Sequence, residues 1–72
     1  MKELAKDLQD VLKDFKGCTF ETGYVTLIVY PSNNIATPLF AELIFEFALV
    51  NSLSYYIGVS LQGHLRFVLY YE

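Results

Sequence analysis

The stretch 39–50, LFAELIFEFALV, decides the fold, because it fits both a strand and a helix. As a strand, it places its large apolar side chains on one face and both carboxylates on the other. As a helix, it has Thr37 as the N-cap and Pro38 at the first helical position, which is a good start signal. That helix, however, leaves Phe45 and Leu49 on the side that faces water. We therefore predict a strand over this stretch and keep the helix as the alternative.

The N-terminal part shows the period of an amphipathic helix, predicted over about residues 2–16. Its apolar residues recur at helical spacing and form one stripe, consisting of Leu4, Leu8, Val11, Leu12 and Phe15. Four acidic residues form a second stripe, the acidic ridge, consisting of Glu3, Asp7, Asp10 and Asp14. Gly17 fits the position just after the helix. We expect the apolar stripe to pack on the rest of the domain.

Three further segments alternate apolar and polar residues with a period of two, which predicts strands over about residues 18–30, 54–61 and 64–71. Gly23 indicates a bend or bulge near the start of the first of these strands. A three-residue turn with a left-handed Gly63 joins the last two strands and pairs Ser60 with His64.

Together these elements predict a single α+β domain over residues 1–72. It has two layers, with the N-terminal amphipathic helix packed on one face of an antiparallel sheet. The predicted order is α-β-β-β-β, with the strands in a meander. If the stretch 39–50 is helical, the order becomes α-β-α-β-β. In both arrangements the other face of the sheet is open to solvent.

The composition excludes several classes of protein. With 54% hydrophobic residues, including six Phe and six Tyr, the chain is too apolar to be disordered. The net charge is −3, and of the five basic residues only Arg66 lies outside the N-terminal helix. Because nucleic-acid binding needs clustered Lys and Arg, this distribution argues against it. The N-terminus lacks an apolar signal core, and the long uncharged windows contain Asn, Ser, Gly or Pro, so we expect a cytoplasmic protein with no membrane segment.

The sequence contains no catalytic, cofactor-binding or metal-binding motif. Its single cysteine, Cys18, excludes an internal disulfide and any multi-cysteine metal site. His64 is the only histidine, and a whole strand separates it from Cys18, which argues against a nucleophile–base pair. We therefore expect a protein that is not an enzyme and that binds no cofactor.

Two acidic groups are candidates for function. In the strand interpretation Glu42 and Glu46 lie on the open sheet face, where they favour solubility and have Arg66 as a candidate cross-strand partner. The acidic ridge could dock on a basic protein. The four lysines on the same helix favour a solvated face instead.

The strongest functional signal is a set of tyrosines on the open sheet face. The predicted protein-binding surface combines them with isolated charges and consists of Tyr24, Tyr30, Glu42, Glu46, Tyr56, His64, Arg66 and Tyr70. Tyrosine among isolated charges is typical of protein interfaces. The last strand, which ends at Tyr70-Tyr71-Glu72, is also predicted to be an edge strand that could pair with a second copy.

These observations predict a small non-enzymatic protein that acts by surface complementarity, on another protein or as a homodimer. A more specific hypothesis is an inhibitor or adaptor from a phage or mobile element that occludes a host target. The alternative is a small-molecule-binding domain, with the ligand at a helix–sheet or dimer interface.

Overall fold

The computed structural model describes residues 1–72, which fold in the order α-β-β-α-β-β. The elements are α1 (Lys2–Val11), β1 (Thr19–Thr22), β2 (Thr26–Tyr30), α2 (Pro38–Val50), β3 (Ser54–Val59) and β4 (Leu65–Tyr70), with a 3₁₀ turn at Ser32–Asn34. The strands form one antiparallel sheet in the order β1-β2-β4-β3, and both helices pack on the same face of it. Neither helix is long and apolar enough to cross a membrane. The predicted two-layer α+β class is confirmed.

The stretch 39–50 is helical, so the predicted strand is wrong there and the alternative is correct. The helix begins where the sequence signals it, because the Thr37 hydroxyl accepts a hydrogen bond from the Phe40 N–H (3.3 Å) and Pro38 follows as the first helical residue. The buried side chains recur at the spacing of a helix face and are Phe40, Ile44, Phe47 and Ala48. Leu49, in contrast, is 78% exposed. The capping signal therefore outweighed the burial pattern that favoured a strand.

A Schellman motif ends α2, with a serine at its left-handed position. The Ser52 N–H donates to the Leu49 carbonyl (3.2 Å), and the Leu53 N–H donates to the Ala48 carbonyl (2.8 Å). Ser52 has a φ of 56°, a conformation that glycine normally supplies. Because no glycine marks this end, the sequence pattern did not reveal it.

The first helix ends at Val11, earlier than the predicted end near residue 16. The chain then turns, and the Phe15 N–H donates to the Leu12 carbonyl (2.9 Å). This turn directs Phe15 onto α2, where its ring meets the Phe40 ring edge-on at 5.2 Å. Gly17 is left-handed (φ 88°) but lies in the connection to β1, away from the helix end. Tertiary packing of Phe15 therefore overrides the local helical pattern.

The predicted strand over residues 18–30 is in fact two strands joined by a turn. Residues 23–25 reverse the chain, and the Gly23 N–H donates to the Thr26 carbonyl (2.8 Å). The two strands then pair so that Thr22 lies opposite Leu27. This turn contains one glycine and no proline, which is why the sequence pattern did not separate the strands.

The β3–β4 hairpin has the predicted register. The Ser60 N–H donates to the His64 carbonyl (2.8 Å), and Gly63 is left-handed (φ 83°). As predicted, Ile57 lies opposite Phe67.

The strand order differs from the predicted meander. α2 carries the chain from β2 to the far edge of the sheet, and β4 then returns between β2 and β3. The predicted meander is therefore wrong, as is the prediction that the strand ending near Tyr70 is a free edge. The free edges are β1 and β3.

The core lies between the helices and the inner face of the sheet. Phe40 connects its parts, because its ring contacts Phe15 at 5.2 Å and Phe67 at 5.6 Å, both edge-on. The cluster of buried residues consists of Ala5, Leu8, Leu12, Leu27, Val29, Phe40, Ile44, Phe47, Ala48, Leu53, Phe67 and Leu69.

Phe40→Ala tests the placement of α2. Because the Phe40 side chain is buried, its truncation should lower the free energy of unfolding by about 3–5 kcal/mol in urea denaturation followed by circular dichroism. Leu39→Ala, at an exposed neighbour, should change it by less than about 0.5 kcal/mol. Phe40→Leu supplies a milder value, about 1 kcal/mol, if the alanine variant does not fold. Equal effects at the two positions would contradict the helix.

Ser52→Gly should raise the free energy of unfolding by about 1 kcal/mol, because glycine adopts the left-handed conformation without a Cβ clash. Ser54→Gly is the matched control in β3, where the same change should lower the value by about 0.5–1 kcal/mol. Chemical denaturation of both variants measures the difference. Effects of the same sign would show that residue 52 is not left-handed.

Candidate functional site

The outer face of the sheet, which no helix covers, carries three tyrosines and one arginine. These side chains and their apolar neighbours form the tyrosine face, which consists of Ile28, Tyr30, Tyr56, Arg66, Val68 and Tyr70. The register places Ile28, Val68 and Tyr56 side by side across three strands. Alternation along the strands points this set away from the core.

Val68 lies at the centre of the tyrosine face and is only 4% exposed, although no helix lies over it. Its neighbours on this face are Ile28 and Tyr56 on the adjacent strands, and Arg66 and Tyr70 on its own strand. The Tyr56 and Tyr70 rings meet edge-on at 5.9 Å. The face is therefore a packed layer of side chains and not a set of separate exposed residues.

Arg66 lies over the backbone of Gly58, its partner on β3. A Cβ atom on Gly58 would be 3.9 Å from the Arg66 Nε and 3.6 Å from the Tyr56 ring. The Nε atom is buried and has no hydrogen-bond partner. A buried N–H without an acceptor destabilises a fold by about 1–3 kcal/mol. The buried Nε therefore contributes no hydrogen bond to the fold.

A polar cleft of about 580 Å³ opens beside the tyrosine face at its hairpin end, and Glu21, Tyr30 and His64 are among its lining residues. The Tyr30 hydroxyl donates a hydrogen bond to Glu21 Oε2 (3.4 Å). The Asn34 side chain joins the loop after β2 to the hairpin by donating to the Gly63 carbonyl (3.1 Å). The cleft thus extends the tyrosine face with groups that both donate and accept hydrogen bonds.

The structure brings most of the predicted binding residues together. Four of them belong to the tyrosine face, and His64 lines the adjoining cleft. Glu42 and Glu46 do not join them, because they lie exposed on α2 in the opposite layer. The predicted cross-strand pairing of these carboxylates with Arg66 is therefore wrong. The error follows directly from assigning a strand to the stretch 39–50.

Tyr24 and the acidic ridge also lie outside the tyrosine face. Tyr24 is fully exposed in the turn between β1 and β2, where it lines a separate cleft with Tyr71 and the start of α1. Three members of the acidic ridge are exposed on α1, namely Glu3, Asp7 and Asp10. Asp14 follows the end of this helix, so the ridge is shorter than predicted.

A second exposed surface, on the helix side of β3, was not predicted. Ile57 is 50% exposed and Val59 is 64% exposed. Phe45 of α2 stacks on the Tyr55 ring at 4.5 Å, but the helices leave this strand half-covered. Together with the fully exposed Leu61, these residues form the open strip, which consists of Tyr55, Ile57, Val59 and Leu61. In the sequence, the only sign of this surface is that the strand carries no charge. A strand without charge is equally typical of a buried core, so the pattern does not reveal the exposure.

No protein-family model, curated protein or solved structure matches this chain. No group of three or more His, Cys, Asp or Glu side chains is arranged to hold a metal ion.

Arg66→Met tests whether this arginine serves the fold. Methionine keeps an extended apolar side chain but removes the unpaired N–H, so the free energy of unfolding should stay constant or rise by up to about 1 kcal/mol. Lys16→Met, at an exposed cation, controls for the change in net charge and should have almost no effect. Urea denaturation measures both variants. A loss of more than about 1 kcal/mol in Arg66→Met would show that the guanidinium stabilises the domain.

Proposed function

We propose that this chain is a small non-enzymatic protein that binds another protein through the tyrosine face. The observation that carries the proposal is the combination of three tyrosines and an arginine with a buried, unpaired Nε on an uncovered sheet face, where Tyr56 and Tyr70 adjoin the buried Val68. Tyr and Arg are the residue types that contribute most often to binding energy at interfaces. A buried N–H that lacks an acceptor in the free protein gains one when a partner supplies it.

The charge distribution supports a protein partner over a nucleic acid. The four lysines lie between residues 2 and 16, whereas Arg66 is the only cation on the tyrosine face. One cation does not provide the phosphate contacts on which nucleic-acid affinity depends. A carboxylate or a backbone carbonyl on a protein surface would satisfy Arg66 Nε, and apolar side chains would cover the tyrosine rings.

The proposal extends to the mode of action. We place the protein in the cytoplasm and infer that it acts by covering a surface of a larger target, as an inhibitor or adaptor of the kind encoded by phages and mobile elements. Its mass of 8.3 kDa and its uncovered, aromatic sheet face support occlusion more than catalysis.

Small-molecule binding is the second candidate function. It is favoured by an apolar cleft of about 290 Å³ between the two helices, lined by Val11, Leu43, Glu46, Phe47, Val50 and Asn51. The cleft lies at the lower end of the size range of ligand sites and opens to solvent on the helix layer. A ligand there would contact the opposite side of the molecule from the tyrosine face.

Capture of the partner by tagged protein, followed by binding measurements with the purified partner, tests the proposed interface. Tyr56→Ala and Tyr70→Ala should each weaken binding by about tenfold or more, since tyrosines at the centre of an interface often contribute 2 kcal/mol or more. Tyr24→Ala is the matched control: it removes a fully exposed tyrosine outside the tyrosine face and should leave affinity unchanged.

Circular dichroism of each variant confirms that it is folded before binding is compared. Val50→Lys places a charge in the cleft between the helices and should also leave capture intact. Binding that survives both tyrosine substitutions on the sheet but is lost in Val50→Lys would show that the interface lies on the helix layer.

A further inference from the structure

Strand β3 has a free edge, because it pairs with β4 on one side only. The hydrogen bond from the Ser60 N–H to the His64 carbonyl fixes which peptide groups point towards β4. Alternation along the strand then directs the N–H and C=O groups of the odd-numbered residues away from the sheet. These residues are Tyr55, Ile57 and Val59, whose side chains also form most of the open strip.

Nothing on β3 protects this edge. Natural edge strands are commonly blocked by charge, proline, a bulge or short length. The strand Ser54–Val59 contains no charge and no proline, and it pairs with β4 without a bulge. The other edge, β1, is a four-residue strand that carries Glu21. The two edges of the sheet therefore differ, and only β3 has the features of a pairing strand.

The sequence around β3 is self-complementary about Ile57. Residues 53–61 read LSYYIGVSL, with Leu at both ends and Ser next to each. In an antiparallel pair centred on Ile57, Ser54 would lie opposite Ser60 and Tyr55 opposite Val59. Aromatic with β-branched residues and Ser with Ser are favourable cross-strand pairs.

Gly58 is a second feature that favours a strand pair centred on Ile57. It lies within a strand, where glycine is destabilising by about 0.5–1 kcal/mol relative to alanine. The single chain does not require glycine here, because a Cβ would make only ordinary contacts, at 3.6 Å or more, and the backbone is not left-handed. In a pair centred on Ile57, Gly58 faces Tyr56 of the second copy at a close, non-hydrogen-bonded position. Its missing side chain leaves room for that ring.

We propose that β3 pairs with β3 of a second copy of this chain, antiparallel and about a two-fold axis through Ile57. Each of the pairs Ile57–Ile57, Tyr55–Val59 and Val59–Tyr55 would then exchange both of its N–H···O=C hydrogen bonds. The axis stands perpendicular to the sheet, so both open strips meet on the helix side. The exposed Leu61 of each copy comes opposite Leu53 of the other.

This pairing produces a continuous eight-stranded sheet whose two tyrosine faces lie side by side on one surface. It does not require that the tyrosine face binds a partner, because its hydrogen bonds come from the edge of β3 and, of the tyrosine face, only Tyr56 takes part in the contact. A strand from an unrelated protein could also use this edge. The second copy is favoured because residues of this chain itself form the complementary pairs about the axis, with Tyr55 opposite Val59 and Gly58 opposite Tyr56.

Sedimentation velocity over about 1–200 μM, the range in which micromolar dimers dissociate, tests whether the chain self-associates. The wild-type protein should form a concentration-dependent dimer. Ile57→Lys places two lysines opposite each other and removes apolar contact, so dimerisation should weaken by at least about tenfold. Val50→Lys introduces the same charge at an exposed apolar residue of α2 and should leave the dimer unchanged.

Disulfide trapping tests the register, in a Cys18→Ser background. Ile57→Cys should form a covalent dimer under mild oxidation, because its Cα atoms would lie about 5.5 Å apart. Val59→Cys is the matched control: it is more exposed, but its Cα atoms would be separated by about 14 Å along the strands. Val59→Cys should therefore remain monomeric on a non-reducing gel.

Three results would overturn the proposal: a monomer over the whole concentration range, a dimer that Ile57→Lys does not weaken, or trapping of Val59→Cys as efficient as that of Ile57→Cys. A monomer whose partner capture is lost in Ile57→Lys would show that the edge takes a strand of another protein, which also overturns self-pairing. Tyr70→Ala separates this proposal from the proposed function. It should weaken partner binding and leave the dimer intact, because Tyr70 lies on the central strand β4.

Discussion

The packing of Phe40 against Phe15 and Phe67 is the contact on which the rest of the structure depends. It joins the turn after α1, the first turn of α2 and the central strand β4, which are far apart in the chain. A chain of this length buries only about 60% of the surface that its unfolded form exposes. The one cysteine is free, so no internal disulfide adds to the stability. A single aromatic cluster therefore makes a large contribution to holding the two layers together.

The way in which α2 enters this cluster also explains the exposed surfaces. Thr37 and Pro38 begin the helix at a position that turns Phe40 inwards, and helical spacing then fixes every later side chain. Leu49 is directed into solvent as a result, and the inner side chains of β3 are covered only in part. The exposure of Leu49 and of the inner side of β3 thus follows from the contact that builds the core.

The sequence predicted those elements in which a single hydrophobic period, that of a helix or that of a strand, dominates and a turn residue marks the end of the element. The register of the last hairpin follows from alternation and from Gly63, and both agree with the structure. The stretch 39–50 carries two compatible periods, so its state depends on whether an N-terminal cap outweighs burial, which local pattern does not decide. Ser52 ends the helix without glycine and leaves no sequence signal. The same holds for the predicted binding residues. Those on β3 and β4 lie on the predicted face of the sheet, whereas Glu42 and Glu46 lie on α2.

Gly58 links the two proposed surfaces physically. On the outer side of β3, Arg66 and the Tyr56 ring lie next to its backbone, at ordinary van der Waals distance from the place a Cβ atom would take. At the free edge, the same missing side chain is what would admit Tyr56 of a second copy. Self-pairing would therefore bring another aromatic ring next to the unpaired Arg66 Nε and widen the tyrosine face across the two-fold axis. A target that contacts both halves would bind with the advantage of two linked sites, so dimerisation and partner binding are expected to reinforce each other.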